Sequence, residues 1–383
     1  MVILNRNPTN LSRIQIIKIL IALFLLYTLS ACSTISYYGQ SIQGQVSLLF
    51  NRQDINEVLN HPDTPDKLKI NLQQAISIRQ YASARLALPN NKSYLNYVDV
   101  ERPYVVWNVF AAPEFSLTPK SWCYPIVGCV SYRGYFAQED ATYEASKLQE
   151  ENFDVHVGGI AAYSTLGWFD DPLMNTMLHW KQRTLAGLIF HELSHQLIYI
   201  KNETSFNEAF SSSVERLGTI QWILESNPQQ LNDYLVYLQA QSDFRNLLLN
   251  TRQKLEILYK KPVDSATKRE QKQDIIQNLN LEYTELKTRW PENIHFDSWF
   301  KKPINNARLT SSMTYLRDIP AFFQFFVEQK GQWPAFYEYV INLEDLNKEE
   351  RDKLIEEKRL AKIDYPLLVK LIRSNTQSNN LLN

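Results

Sequence analysis

Apolar positions along this chain follow helical spacing first, then short extended runs, then helical spacing again. Residues 40–95 have the helical period, with helix starts predicted near Asp54 and Asp66 and helices over Asp54–Leu59 and Asp66–Leu86. Segments rich in Val, Tyr, Phe and Ile follow at Pro103–Ala112, Tyr124–Tyr135 and Asp154–Tyr163, and these predict strands. The stretch 181–200 is helical and apolar on nearly all sides, the pattern of a buried helix. A polar turn, Lys201–Ser205, separates it from a second helix with Ser205 as its expected N-cap. Over 228–290, Leu231, Tyr234, Leu238, Leu248, Leu255 and Tyr259 and then Ile276, Leu279, Tyr283, Leu286 and Trp290 keep helical spacing. Lys261–Ser265 breaks that run, which predicts a long antiparallel helical hairpin with charged outer faces. Asn305–Gln329 returns to a buried pattern, and from Ser374 the chain reads as a mobile polar tail.

This order implies an α+β protein, predominantly helical, with a small sheet ahead of the 181–200 helix and the hairpin as an insertion. The expected divisions are 1–31, a leader; 32–225, the sheet and the two helices that follow it; 226–300, the hairpin; 301–373, a helical part completing the domain; and 374–383, the tail. The chain has 383 residues, is 44% hydrophobic and 12% aromatic and holds ten Gly, which suits one sizeable folded core.

The ends and the cysteines change the picture. Residues 1–31 carry Arg6, Arg13 and Lys18, no acidic residue and the apolar run Ile19–Leu29, a signal-peptide pattern too short to span a bilayer comfortably. Leu29-Ser30-Ala31-Cys32 reads as a lipobox, so Cys32 is the expected lipidation site and the mature chain is expected in the bacterial envelope. Ser33 after that cysteine points to the outer membrane, facing the periplasm. An uncleaved anchor is the alternative. Removing the leader takes three positive charges from a formal net charge of −1, which leaves nothing to suggest a nucleic-acid partner. Cys123 and Cys129 are spaced for a small disulfide loop in an oxidising compartment, or they are two buried thiols.

The candidate chemistry lies in His191-Glu192-Leu193-Ser194-His195. Four residues advance about 400° around a helix, so both imidazoles project from one face and can share one Zn²⁺. Glu192 lies about 100° round from His191, beside the metal, where a carboxylate serves as general base toward water. Catalytic zinc takes a third protein ligand. Glu208, in the first turn of the next helix, is the expected one. Glu215, seven residues on and on the same face, is either a rival ligand or a partner orienting a histidine. The bland alternatives are a solvated helical face or a satisfied core. The apolar surroundings argue against the first, and the cost of burying two His and a Glu unpaired argues against the second. Tyr163 and Tyr315 are candidates for stabilising an oxyanion.

The run His-Glu-Leu-Ser-His-Gln followed by Asn-Glu-Ala-Phe resembles the gluzincin metallopeptidases. That resemblance implies His191, His195 and Glu208 as ligands to one zinc ion, Glu192 as general base, a zincin-like fold and a peptide substrate. Over roughly residues 32–345 the chain also resembles a family of bacterial lipoproteins described as predicted aminopeptidases. The matching pieces are Trp122–Pro125 through Cys129, Tyr132–Phe136, Gly158-Gly159 with Ala162–Phe169, and Asn305–Leu309. One departure matters: the Gly-Ala-Met-Glu-Asn segment, whose Glu binds a substrate amine in well-known gluzincin aminopeptidases, is absent, and Val157–Tyr163 offers no carboxylate. The expected activity is therefore zinc peptidase, with aminopeptidase first. An envelope endopeptidase, or a non-enzymatic zinc lipoprotein serving in binding or assembly, is the alternative.

Overall fold

The computed structural model describes residues 37–124, 128–162, 164–165, 169–313, 317–360 and 363–381. The leader, Cys32, Tyr163 and Tyr315 lie outside the described residues. One unit of the chain, residues 1–50, contributes a described helix over 37–50 (α1). The other, from residue 51 on, holds all remaining elements.

In that second unit β1 (Gln53–Asp54) leads into α2 (Ile55–Asn60), and the Asp54 carboxylate caps the helix by accepting from Asn56 N. α3 (Asp66–Leu86) has the predicted bounds and buries Leu72, Ala75, Ile78, Ala82 and Leu86, a face set by steps of three and four. Next come β2 (Asn96–Val98), β3 (Val106–Pro113), β4 (Trp122–Tyr124), β5 (Gly128–Val130), β6 (Arg133–Tyr135), α4 (Gln138–Glu150) and β7 (Phe153–Ile160). The predicted strand over 124–135 is thus three short strands. β8 (Leu173–Met174) and α5 (Asn175–Leu178) precede α6 (Gln182–Ser194) and α7 (Thr204–Ser226). α8 (Leu231–Tyr259) and α9 (Ser265–Lys287) form an antiparallel pair. The rest is helical: α10 (Asp297–Phe300), α11 (Asn306–Met313), α12 (Ile319–Glu328), α13 (Trp333–Asn342), α14 (Lys348–Arg359) and α15 (Tyr365–Leu381), the last running through Ser374.

The fold is predominantly helical with small sheets, in keeping with the α+β expectation. β6, β3 and β7 make one antiparallel sheet in that order, with β7 at its edge. β1, β2 and β8 make a second, and β4 and β5 pair as a hairpin. Along the outer edge of β7, Asn305 Nδ2 donates to Val155 O and Lys302 Nζ to Val157 O, so two of its carbonyls are already taken. No helix among the described residues is long and apolar enough to cross a membrane.

The core centres on α7, whose residues are buried on nearly every side. α3, α6, α12 and α15 surround it. Two glycines allow close approaches between the core helices: a Cβ on Gly187 of α6 would stand 3.1 Å from Glu215 Cγ, and one on Gly218 of α7 only 2.8 Å from Leu86 Cδ1. Phe190, Phe210, Phe322, Phe325, Phe326 and Phe336 fill the space between the helices. Truncating one such ring to Ala costs about 3–5 kcal/mol.

Asn306 and Arg308, polar residues in an apolar stretch, are spent on structure. Asn306 Nδ2 donates to the carbonyls of Pro113 and Glu114, and its Oδ1 accepts from Tyr259. Arg308 donates to the carbonyls of Trp299 and Pro303 and lies over the Trp299 ring.

Candidate metal centre

α6 ends at Ser194, earlier than the predicted 200, so His195 is its C-cap residue. α7 starts at Thr204 with Glu203, not Ser205, as its N-cap; Ser205 lies in the first turn and its hydroxyl donates to Asp318 Oδ2. Asn207 fixes the connection between the two helices. Its Oδ1 accepts from Ile200 N at 2.9 Å and its Nδ2 donates to Ile200 O at 2.8 Å, closing a loop across the turn. The β4–β5 hairpin braces the same turn from outside. Cys129 N donates to Asn202 Oδ1 at 3.0 Å, and the Cys123–Cys129 disulfide closes the hairpin as its spacing predicts. Gly128, at φ +79°, has no room for a Cβ, which would fall 2.1 Å from Asn202 Oδ1.

This brings His191, His195 and Glu208 together in a group that could hold a metal ion, each offering an atom within 4.8 Å of the others. The two Nε2 atoms are 3.2 Å apart. His191 Nε2 is 3.4 Å from Glu208 Oε2, and His195 Nε2 is 3.8 Å from Glu208 Oε1. Glu215 is not part of that group. It reaches the opposite nitrogen of the first ring, with His191 Nδ1 3.2 Å from its Oε2. Ser211 does the same for the second ring, its hydroxyl 3.0 Å from His195 Nδ1. Sequence reading missed Ser211, yet the signal is there: 208, 211 and 215 are spaced by three and four and share one helical face.

Burial alone would lower the His191 pKa, but its hydrogen bonds with Glu208 and Glu215 and the nearby Glu192 hold the imidazole well above its ordinary value. A divalent cation beside Nε2 would take the place of that proton, with Nδ1 still facing Glu215. Burial also pushes the His195 imidazole down to about 4, so it is neutral at ordinary pH.

Glu192 faces a third set of groups. Burial pushes its carboxyl up to about 7; His191 and the nearby Ser164 hydroxyl oppose the rise, and Glu208 and Asp171 add to it. Ser164 and Thr165 belong to the segment that leaves β7, and Asp171 holds that segment by accepting from Thr165 N at 3.0 Å, Thr165 Oγ1 at 2.8 Å and Ser164 Oγ at 3.2 Å. Buried Tyr94, at φ +65°, stands close enough to Glu192 and Asp171 for both charges to push its phenol up, after burial itself. Its loop is fixed by Arg79, which donates to Ser93 O, Pro89 O and Asn91 O. Tyr94, Ser164 and Asp171 carry no local pattern linking them to Glu192; the approach is made by the fold.

His191, His195 and Glu208 thus present two imidazoles and one carboxylate together, a donor set that suits a divalent cation. A buried helix pair presenting such a set defines a helical α+β protein with a candidate metal centre. The chain belongs to the family described as "Putative aminopeptidase", whose model matches residues 36–355. No curated protein and no solved structure matches it.

Proposed function

We propose that this protein is a zinc-dependent peptidase of gluzincin type. The observation that carries the reading is the convergence of His191 Nε2 and His195 Nε2 on Glu208 while the other nitrogen of each ring is held by Glu215 or Ser211. The spacing supports a tetrahedral ion: two donors each about 2.0–2.1 Å from one zinc stand roughly 3.3 Å apart, close to the separations of 3.2 and 3.4 Å described above. His191, His195 and Glu208 would hold it. Bound there, zinc would polarise a scissile carbonyl and lower the pKa of water toward about 7.

The remaining work falls to the chain. Glu192 takes a proton from the attacking water and delivers it to the leaving amine, acting in turn as base and acid. Ser164 stands beside its carboxylate, and Asp171 holds the segment that carries Ser164. Glu215 and Ser211 keep each imidazole in the tautomer that presents Nε2. Membership of the aminopeptidase family supports a peptide as substrate. The carboxylate-free run Val157–Ala162 beside the site favours a second reading, an endopeptidase that ignores the terminal amine. We also propose that the protein is tethered through Cys32 outside the cytosol, facing the periplasm from the outer membrane; the Cys123–Cys129 disulfide supports an oxidising compartment.

The test is metal analysis of purified protein together with a peptide library read with and without chelator. One zinc per chain and chelator-sensitive cleavage are expected. Full cleavage by metal-free protein would overturn the reading. Peptides with free and blocked N-termini separate the aminopeptidase from the endopeptidase.

A further inference from the structure

The first turn of α7, which leads into Glu208, is fastened from the far end of the chain. Glu203 stands at the N-cap of α7, yet its carboxylate does not cap the helix. It reaches instead across 148 residues of sequence to Arg351 of α14, accepting from Nη2 at 2.8 Å. The Glu203 and Arg351 side chains are nearly out of water, 9% and 5% exposed, whereas Lys348, 3.4 Å from the other carboxylate oxygen, is solvated. Arg351 is itself held, because its Nη1 donates to Leu343 O at 3.0 Å and to Leu346 O at 2.8 Å. A capping box between Asn347 and Glu350 fixes the start of the helix that presents it. Its guanidinium lies over the Phe206 ring, 5.7 Å from the centroid, and that ring packs edge-on against Phe322 of α12. Two residues after Glu203 the pattern repeats. Ser205 Oγ donates at 3.2 Å to Asp318 Oδ2, and Asp318, buried at the N-cap of α12, likewise leaves its own helix without a side-chain cap. Arg317 Nε at 3.0 Å and Arg359 Nη1 at 3.8 Å meet its other oxygen.

We propose that Arg351 and Asp318 are positioning residues for the metal centre: through Glu203 and Ser205 they hold the start of α7 in the register that brings Glu208 to His191 and His195. The inference rests on the zinc reading for what Glu208 grips, while the clamp stands on the contacts just described. Desolvation offsets most of the attraction in a buried ion pair, so such a pair adds little net stability and its use lies in fixing a geometry. Here two carboxylates at helix starts forgo the local cap and serve long-range partners, and both ties meet α7 within five residues of Glu208. A ligating group has to be held within roughly 0.5 Å of its productive position. Glu208 follows Ser205 by three residues on one continuous helix, so a slide or rotation of the first turn is passed directly to its carboxylate. Asn207 secures that turn only to Ile200, on the α6 side. The C-terminal helices thus complete the centre without supplying a ligand.

The experiment uses the full protein and reads two quantities: zinc affinity, by competition with a chromophoric chelator, and the visible absorption of the cobalt-substituted form, which follows ligand geometry. Glu203→Leu combined with Arg351→Met removes the tie without leaving a lone buried charge, an exchange that often leaves stability unchanged. This double variant is expected to keep its melting temperature, to bind zinc about 10- to 100-fold more weakly and to show a shifted cobalt band. Arg351→Lys should lose less affinity, because the charge remains and only the fork is lost. Wild-type affinity with an unmoved cobalt band in the folded double variant would overturn the proposal, and that is the result a merely structural ion pair gives. If the double variant does not fold, the wild type decides. Metal and clamp must favour each other equally, so zinc should slow amide exchange over residues 343–351 more than in α9. An equal change in the two segments overturns the proposal. A wild-type protein that takes up neither zinc nor cobalt sinks the zinc reading and this one with it, whereas metal uptake indifferent to the clamp sinks this one alone.

Discussion

Two pairs of antiparallel helices in this molecule use the same local architecture for opposite ends. α6 and α7 are joined by a short turn and pressed together through Gly187 and Gly218, and they bury nearly every side of α7, charged groups included. α8 and α9 form a longer pair that buries one stripe, Leu247, Leu248, Leu255, Leu279 and Tyr283 among it, and leaves its other faces to solvent. Charges in the second pair lie at the surface or tie it to the sheet: Lys272 to Asp154 at 2.6 Å, Arg269 to Glu114 at 2.6 Å, Lys254 to Glu282 at 2.6 Å. The two solvated pairs, Arg269–Glu114 and Lys254–Glu282, contribute about 0–1 kcal/mol each, whereas Lys272 and Asp154 are largely buried. Charges in the first pair converge where water is scarce, and burial there makes each of them expensive unless paired. The difference lies in what the polar residues face, and it separates a scaffold from a candidate metal centre.

The sharpest way to break the comparison is to remove the acid–base group from the first pair. Glu192→Gln is expected to lower kcat by about 10²- to 10⁴-fold with zinc content unchanged, checked by metal analysis beside peptide turnover. A variant with full turnover would return α6 to the status of an ordinary buried helix. Glu208→Ala should lose the metal itself, and stoichiometric zinc in that variant would hand the third position to Glu215. Glu215→Gln should weaken zinc by about 10- to 100-fold, the usual effect of losing a carboxylate behind a ligating histidine, as read by competition with a chromophoric chelator.

The four residues proposed to hold the metal and move the proton were legible in the sequence because their spacing is local. His191, Glu192 and His195 fall within five residues, and Glu208 follows in the next helix. Ser211 was equally local but has no chemistry of its own to draw notice; only the nitrogen it faces gives it a role. Tyr94, Ser164 and Asp171 reach Glu192 from chain positions with no periodicity linking them to α6. Among the elements, α3 was legible because its polar and apolar faces alternate cleanly. The three short strands between 122 and 135 merged into one expected strand, since hydrophobic runs do not reveal where a chain reverses.

A smaller effect links the first pair to its surroundings. Gly128→Ala would put a methyl into Asn202 and force a left-handed backbone on a residue with a Cβ. The turn between His195 and Glu208 should loosen, at about 1–3 kcal/mol of stability for the strained position. A lower melting temperature with weaker zinc binding is expected. An unchanged melting temperature would show that the disulfide hairpin does not support the turn.

The smallest effect belongs to the second pair and depends on acid. Arg269, by its hydrogen bonds and then by its charge, holds the Glu114 carboxyl below the usual carboxylate range, with Lys272 adding to the effect. A folded pKa below the unfolded one means that the unfolded chain binds more protons through the interval between them. The contribution of Glu114 is therefore complete above the ordinary Glu range near 4.5 and is lost as pH falls through the lowered folded value. Hydrogen-exchange protection in α9, taken relative to the intrinsic amide rate at each pH, should accordingly fall on acidification, and Glu114→Gln should remove that part of the pH dependence. The change should be slight, because Arg269 is solvated and its pairing is screened by salt. A large acid effect confined to α9 in the wild type and absent from Glu114→Gln would mean that the solvated pair behaves like the buried one, and the contrast between scaffold and candidate metal centre would no longer rest on exposure.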